Sequence, residues 1–179
     1  MSRLTAIEPE TATGAAAEIF AKIRRAIGRV PNAYATIGTQ SPEALGALLS
    51  TEAVIAAGTL TKADVETVKL VVSAVAGCDY CVAAHRLAGK AAGLTRFEIQ
   101  QVLAGALTGD EKRDVLVHYV AMLVTTHGTV PRSEVDAMLE AGYTERQLIE
   151  IALAMASISF TNLVNRVNDT TIDFPALAD

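Results

Sequence analysis

The chain has little aromatic side-chain volume and almost no cysteine. Its 179 residues include no tryptophan, four phenylalanines, four tyrosines and two cysteines. Two cysteines cannot form the disulfide framework of a small secreted domain, and a chain of this length can bury roughly 70% of the surface that its unfolded form exposes. Apolar residues make up 51% of the sequence, and most of them are alanine, leucine, valine and isoleucine. This composition favours helices that pack closely through small side chains.

Other missing features exclude further classes of protein. The net charge is −5 at pH 7, which has the wrong sign for nonspecific binding to nucleic acid. The first ten residues contain two glutamates and no apolar core, so we expect no secretory signal there. No apolar run reaches the eighteen or so residues that span a membrane. The sequence therefore predicts one cytoplasmic domain over residues 1–179, with neither nucleic acid nor a membrane as partner.

Helix start and stop signals alternate along the chain, and no strand pattern is long enough to trust. Ser41 followed by Pro42 is a good helix start, and the segments beginning at Thr95 and Thr144 match capping boxes. The pattern predicts an all-α domain of eight or nine helices. The assigned helices cover residues 13–27, 42–58, 61–76, 78–93, 95–107, 110–126, 132–142 and 144–167, followed by an irregular tail from residue 169.

Two of these segments resemble each other. When Glu66 is aligned with Glu150, apolar residues match along most of the span and the two cysteines fall on Asn162 and Asn165. One interpretation is a duplicated helical hairpin whose second copy has lost its thiols. The other is that two buried helices look alike by chance, because short apolar runs match easily.

The two cysteines belong to a group of four residues that can carry chemistry. Glu66 is followed after eleven residues by Cys78, after two more by Cys81 and after three more by His85. In a helix the two cysteines and His85 share one face. Glu66 lies roughly 120° around the axis, so it can join them only if the chain breaks at Gly77 and the two helices fold together.

This grouping suits thiol chemistry, although other interpretations stay open. A thiol attacks a peroxide or a disulfide only as the thiolate, which a helix N-terminus stabilises, and an imidazole oriented by a carboxylate can move the proton. The second cysteine can then convert a sulfenic acid into a disulfide. The position nearer the helix N-terminus favours Cys78 as the activated thiol. The alternatives are a buried structural pair of thiols and a zinc site formed by Cys78, Cys81, His85 and Glu66.

The spacing of Glu66, Cys78, Cys81 and His85 resembles the core motif of the AhpD-like alkylhydroperoxidases, within the carboxymuconolactone decarboxylase superfamily. The resemblance is close over residues 41–93 and looser over the other helices. It implies an AhpD-like helical fold, a homo-oligomer such as a trimer or hexamer, and peroxidase activity that needs no metal or cofactor. The decarboxylase branch generally lacks the cysteine pair, so the sequence sides with the peroxidases.

The resemblance also implies roles for individual residues. Cys81 would attack the hydroperoxide, and Cys78 would resolve the product and meet a dithiol reductant of protein or lipoyl type. Glu66 and His85 would form a proton relay. Tyr80 stands where well-characterised members have a histidine, and it can support the site as a hydrogen-bond donor but is a poor base near neutral pH. The alternative functions are a protein disulfide reductase or redox adaptor that uses the same dithiol, and a decarboxylase-type lyase that does not.

Overall fold

Helices account for most of the chain between residues 2 and 175, which is the range that the structure, a computed structural model, describes. Nine α-helices and no strand occur in this range, so the all-α prediction is confirmed. The helices are α1 (Gly14–Ile27), α2 (Asn32–Gln40), α3 (Pro42–Ala56), α4 (Lys62–Ala76), α5 (Asp79–Ala91), α6 (Arg96–Ala104), α7 (Glu111–Thr125), α8 (Arg132–Glu140) and α9 (Glu145–Asn168).

The predicted caps are present at most helix starts. Capping boxes begin α4, α6 and α9 at Thr61, Thr95 and Thr144, where each threonine accepts a hydrogen bond from a backbone N–H three residues later. One predicted boundary is wrong. Helix α6 ends at Ala104 instead of residue 107, because Gly105 adopts a left-handed conformation with φ of 63° and closes the helix.

Helix α2 was not predicted. Pro31 closes the loop after α1, as expected, but it is also the N-cap of a further nine-residue helix. This helix has buried residues around much of its circumference instead of along one stripe, because it lies between two hydrophobic clusters. Its buried residues are Ala33, Ala35, Thr36, Ile37 and Gly38.

Helix α4 lies at the centre of the fold and packs against α5, α6, α7 and α9. Eight of its fifteen residues are buried. The apolar ones among them belong to the larger hydrophobic cluster, which includes Val68, Leu70 and Val72. A smaller cluster around Phe20 and Leu45 joins α1, α2 and α3. Glu66 lies on this central helix, so its position is set by the packing of α4 against its four neighbours.

Helix α9 is unusually long and apolar. It has 24 residues, and its most apolar window has a mean hydropathy of 1.5, so by length and composition alone it is long enough to cross a membrane. Core helices of water-soluble proteins pass the same test. The helix is continuous at Thr161, the position that aligns with Gly77 in the apparent repeat. The second repeat segment is therefore one helix and not a hairpin.

Candidate functional site

The break at Gly77 creates the local structure around the cysteines. Gly77 ends α4 in a left-handed conformation with φ of 64°, and the N–H of Cys78 donates to the carbonyl of Ser73 over 3.0 Å. Helix α5 begins immediately afterwards, with Cys78 as its N-cap and Cys81 in its first turn. Both thiols are free and each residue is only 3% exposed. The predicted break and helix start are thus confirmed.

The two thiols are electrostatically unequal. A hydrogen bond from the Cys81 thiol, opposed by burial but reinforced by the Cys81 backbone N–H and by Arg166, lowers the pKa of Cys78 to about 7. The same hydrogen bond, together with burial, raises the pKa of Cys81 far above its ordinary value. In the reduced pair the thiolate form is therefore favoured at Cys78 and the thiol form at Cys81. This is the order expected from the helix N-terminus.

Glu66 and His85 meet across the α4–α5 contact, as the sequence predicts. The Nδ1 atom of His85 lies 2.7 Å from a carboxylate oxygen of Glu66, and both side chains are largely buried. The Nε2 atom of His85 forms no hydrogen bond with any residue in the range 2–175. A carboxylate on Nδ1 fixes the orientation and tautomer of the ring and leaves Nε2 available for proton transfer. Their catalytic role stays a prediction.

A second ion pair lies one turn further along α4, and the sequence did not reveal it. Lys69 is 5% exposed and its Nζ atom lies 2.5 Å from a carboxylate oxygen of Glu52 on α3. Ser157 on α9 donates to the other oxygen of this carboxylate over 2.6 Å. Burial raises the pKa of Glu52, but Lys69 and Ser157 together lower it below its ordinary value. Lys69 therefore points inward to Glu52 and is not a surface partner of Glu66.

Helix α9 contributes polar side chains to Cys81, which the sequence analysis also missed. The Nδ2 atom of Asn165 donates to the Cys81 sulfur over 3.3 Å, and Thr161 Oγ1 lies 4.0 Å from the same sulfur. Both hydrogen bonds favour the thiolate form of Cys81, although they do not offset the effect of Cys78. In the apparent repeat Asn165 aligns with Cys81, and one interpretation of that alignment is a lost thiol. The structure shows instead that the two side chains contact each other.

Tyr34 is a further residue of the site, and it lies on the helix that was not predicted. Its phenol is largely buried and interacts electrostatically with Glu52, Cys81 and Glu66. Burial, followed by these negative groups, raises the pKa of Tyr34 to about 12. The phenol therefore stays protonated near neutral pH, and it is a hydrogen-bond donor that no residue in the range 2–175 engages.

Tyr80 anchors the C-terminal tail. Its hydroxyl accepts a hydrogen bond from the backbone N–H of Ala33 over 3.1 Å and donates to Asp173 over 2.8 Å. Its ring packs edge-on against Phe174, with centroids 5.2 Å apart. Burial raises the pKa of Tyr80 well above its ordinary value. The hydroxyl is thus already engaged by α2 and the tail, and it links those two segments.

Two cavities border the site. One has a volume of about 360 Å³ and lies between α3, α4 and α5, with Glu52, Glu66 and Lys69 in its otherwise mostly apolar wall. The other, of about 320 Å³, is more polar and exposes Cys78 beside Arg166. A larger cavity of about 530 Å³ lies against the N-terminal segment and α1, and none of the four motif residues lines it. The motif is therefore accessible from an apolar side and from a polar side.

Metal binding has no geometric support in this arrangement. Across residues 2–175, no three or more histidine, cysteine, aspartate or glutamate side chains are placed so that they could hold a metal ion. Glu66 and His85 bind each other, and the cysteines interact with each other and with α9. The zinc site that the residue types alone permit is therefore not formed by these four residues as they stand.

Comparison with known proteins agrees with the motif and the fold. Residues 42–111 match the carboxymuconolactone decarboxylase family. The fold resembles the alkylhydroperoxidase AhpD core of a peroxidase-related protein from Ralstonia eutropha, with a TM-score of 0.85 and 20% identity over 96% of this chain and 92% of that one. It also resembles the debrominase Bmp8, with a TM-score of 0.78 and 20% identity over 95% and 91% of the two chains.

A third solved structure is a putative antioxidant defence protein AhpD from Agrobacterium tumefaciens. It has a TM-score of 0.68 and 20% identity over 78% of this chain and 95% of that one. No curated protein matches the chain. The motif, the matched segment and the fold agree with one another: residues 42–111 match the carboxymuconolactone decarboxylase family, and the chain has the AhpD-like fold.

Proposed function

We propose that the protein is a thiol-dependent peroxidase that reduces hydrogen peroxide or organic hydroperoxides. The observation that carries this proposal is the interaction of two buried free thiols at the start of α5, on the same pair of helices that holds Glu66 and His85 2.7 Å apart. A dithiol can supply two electrons, and the carboxylate–imidazole pair can supply a proton. Peroxide reduction needs both, and nothing in the step requires a metal or an organic cofactor.

The reaction balances with these residues alone. A cysteine thiolate attacks one oxygen of the hydroperoxide, the O–O bond breaks, and an alcohol leaves with a proton from His85. The attacking sulfur becomes a sulfenic acid. The second cysteine attacks that sulfur, the hydroxyl leaves as water, and a disulfide between Cys78 and Cys81 forms. The resemblance assigns the attack to Cys81 and the second step to Cys78.

Regeneration requires an external dithiol, and the polar cavity at Cys78 supports its approach there. Disulfide reduction begins with attack of a thiolate on one sulfur of the disulfide. The cavity exposes Cys78 and not Cys81. We expect a dithiol of protein or lipoyl type to attack Cys78, so that Cys81 is released first. Such a cycle needs a compartment that keeps thiols reduced, which is why we place the protein in the cytoplasm.

The same dithiol supports a second candidate, reductive removal of a halogen. The likeness to the debrominase Bmp8, including a cysteine-to-alanine variant of that protein in complex with 2,3,4-tribromopyrrole, favours this candidate. In this reaction two thiols become a disulfide, the carbon–bromine bond is replaced by carbon–hydrogen, and bromide leaves. The mostly apolar cavity beside Glu66 could hold a compact organic molecule of this kind.

A single set of assays separates these functions from the alternatives. Peroxide, a brominated pyrrole and a protein disulfide are supplied in turn, with dihydrolipoamide or thioredoxin as reductant, and loss of substrate is followed. We expect turnover of peroxide by the wild type and none by Cys81→Ser or Cys78→Ser. Activity only toward protein disulfides would favour a redox adaptor. Activity that survives in the double cysteine variant would reject thiol chemistry in favour of a lyase.

We also propose that the protein works as a homo-oligomer. Several large apolar side chains are exposed on α3 and α9, and surfaces of this kind usually pack against another chain. Light scattering at micromolar concentration should give a multiple of 18.8 kDa, and a monomer mass would contradict the proposal. The exposed apolar residues on these helices are Val54, Ile149, Phe160, Leu163 and Val167.

A further inference from the structure

The amide of Asn165 has one engaged end and one that is not. Its Nδ2 atom donates to the Cys81 sulfur over 3.3 Å, while its Oδ1 atom is buried and has no hydrogen-bond partner among residues 2–175. The residue as a whole is 4% exposed. A buried polar atom without a partner is costly and uncommon in native proteins. An unengaged acceptor held beside a reactive sulfur is therefore placed where a group formed during the reaction could use it.

We propose that Asn165 binds the reacting sulfur of Cys81 in two successive states. The N–H end stabilises the thiolate that attacks the peroxide, and the carbonyl end accepts a hydrogen bond from the sulfenic acid that the attack produces. This inference rests on the proposed peroxidase function and adds to it a residue that contacts the reacting atom. It assigns to α9 a direct part in the chemistry, beside the residues of α4 and α5.

The first state follows from the position of the proton in the reduced pair. In the reduced pair the interaction between the two thiols favours the proton on Cys81 and the negative charge on Cys78. For Cys81 to attack, this proton passes to Cys78, and the negative charge moves to the buried sulfur of Cys81. There the Asn165 N–H donates to it over 3.3 Å. Hydrogen bonds to the charged form lower the free energy of that form.

The second state follows from the atoms that the reaction adds. After attack, the Cys81 sulfur carries an O–H group that came from the peroxide, and the alcohol has left with a proton from His85. This hydroxyl is a donor inside a buried site, where a donor needs an acceptor. The Oδ1 atom belongs to the same amide that already contacts the sulfur. When Cys78 attacks, the hydroxyl leaves with the Cys78 proton as water, and Oδ1 is again unengaged.

Two substitutions at Asn165 distinguish the effect of the amide donor from the effect of the amide acceptor. Asn165→Asp keeps the shape and an acceptor but replaces the donor with a carboxylate, so it disfavours a neighbouring thiolate. Asn165→Leu keeps a similar volume and removes both ends. The matched control is Asn162→Leu. Asn162 lies one turn earlier on α9, is 2% exposed, accepts a hydrogen bond from Ser73, and has no hydrogen bond to either sulfur.

The experiment uses the full chain carrying Cys78→Ser, which leaves Cys81 as the only thiol and prevents disulfide formation. Thermal unfolding first selects variants that fold. The pH dependence of alkylation by iodoacetamide reports the thiolate, and it needs no peroxide. After one equivalent of hydrogen peroxide, trapping with dimedone followed by mass spectrometry reports the amount and lifetime of the sulfenic acid on Cys81.

We expect both Asn165 variants to slow alkylation at pH 7 by about 3–10-fold, the range that one hydrogen bond can supply. Asn165→Leu should shorten the lifetime of the sulfenic acid by a similar factor, and Asn162→Leu should leave both quantities within about twofold. Equal alkylation and equal lifetimes in Asn165→Leu and its parent would overturn the inference and leave the peroxidase intact. So would equal effects of the two leucine variants, because they would indicate a general packing effect.

Two further outcomes concern the proposed function itself. If the sulfenic acid forms only on Cys78, in a chain carrying Cys81→Ser, the peroxidase stands but Cys81 is not the attacking residue and the inference is overturned. If neither single-cysteine chain forms a sulfenic acid, the proposed function is overturned together with the inference. If Asn165→Leu does not fold, the alkylation rate of the isosteric Asn165→Asp alone tests whether the Asn165 N–H stabilises the Cys81 thiolate. An unchanged alkylation rate in Asn165→Asp would then overturn the inference.

Discussion

Two pairs of largely buried side chains, each with one carboxylate, lie one helical turn apart on α4, and their differences are instructive. Glu66 pairs with His85 on α5 at 2.7 Å, and Lys69 pairs with Glu52 on α3 at 2.5 Å. Each pair joins two helices, and each is largely shielded from water. Their geometry is nearly the same, so distance and burial do not tell which pair carries chemistry and which stabilises the fold.

The chemistry of the cation distinguishes them. An imidazole gains and loses a proton near neutral pH, so the pair of His85 with Glu66 can deliver and recover one within a catalytic cycle. An ammonium group that is paired with a carboxylate keeps its proton. The pair of Lys69 with Glu52 therefore holds two fixed charges beside the site and links α3 to α4. We infer that the first pair is a relay and that the second is a structural and electrostatic support.

The largest expected effect comes from breaking the relay. Glu66→Gln or His85→Gln should lower the rate of peroxide reduction by about 10²–10⁴-fold, the usual contribution of one general acid–base group. Since the two residues act as a unit, the double variant should lose far less than the product of the single losses. Stopped-flow measurement of peroxide consumption gives the rates, and thermal unfolding should show that the fold is retained.

The chain contains a matched control for this prediction. His118 and Glu134 form another histidine–glutamate pair at 3.1 Å, but His118 is exposed and the pair lies on α7 and α8. His118→Gln should leave turnover within about twofold, because an exposed pair contributes little. Unchanged turnover in Glu66→Gln, with unchanged titration of both cysteines, would remove the relay from the mechanism.

The second effect is on stability and comes from breaking the other pair. Lys69→Met leaves the carboxylate of Glu52 without its cation in a partly buried position, so the free energy of unfolding should fall by about 1–3 kcal/mol. Adding Glu52→Gln should restore part of the loss, since the remaining groups are then neutral. Chemical denaturation measures the free energy of unfolding of the single and the double variant. Lys62→Met is the control, because Lys62 is exposed at the start of the same helix. If Lys69→Met abolishes turnover without loss of stability, the division between the two pairs is wrong.

The sequence predicted one of these pairs and not the other, for a physical reason. The break at Gly77 is a local signal, and together with the helical periodicity it forces Glu66 toward the face that carries His85. The partner of Lys69 is seventeen residues away on a different helix, and its position depends on how α3 packs. The sequence does indicate that Lys69 has a partner, because it lies in an otherwise apolar stretch of α4 and a buried lysine is usually paired with an opposite charge.

The same distinction applies to the rest of the site. The helix caps are encoded by residues three or four positions apart, and these were predicted. Helix α2 is held by long-range contacts, such as those of Asp173 with Asn32 and of Tyr80 with Ala33, which leave no periodic pattern in its own sequence. Tyr34 was missed with it. Asn165 reaches Cys81 only because α9 packs against α4 and α5, and periodicity along one helix does not encode that packing.

A third and smaller effect is the acid sensitivity of the supporting pair. Since the pKa of Glu52 is lower in the folded chain than in the unfolded chain, its ionisation stabilises the fold above the unfolded pKa of about 4.3. This contribution is lost as the pH falls from there through the folded pKa. Wild-type protein should therefore lose more stability than Lys69→Met between about pH 5 and pH 3. Thermal unfolding at each pH measures the stability of both proteins. Equal losses of stability in the wild type and in Lys69→Met would show that the pair contributes nothing in this pH range.

The smallest effect should come from Tyr34, the residue that lies between the two pairs. Its phenol interacts with Glu52 of the supporting pair, with Glu66 of the relay and with Cys81, and its pKa of about 12 keeps it a neutral donor. Tyr34→Phe removes one hydrogen-bond donor and keeps the ring that packs against both hydrophobic clusters. One neutral hydrogen bond contributes about 0.5–1.5 kcal/mol, so the rate of peroxide reduction should fall by about 2–10-fold and stability should change little.

A donor to the reacting oxygen would lower the maximal rate and not only raise the peroxide concentration needed for half of the maximal rate. Steady-state kinetics with saturating reductant separate these cases. Tyr119→Phe on α7 is the control, because that ring is also buried and burial raises the pKa of its phenol. If Tyr34→Phe lowers stability as much as Lys69→Met and leaves the maximal rate unchanged, Tyr34 belongs to the supporting pair alone. If it lowers the maximal rate at constant stability, the relay extends from α4 and α5 to α2.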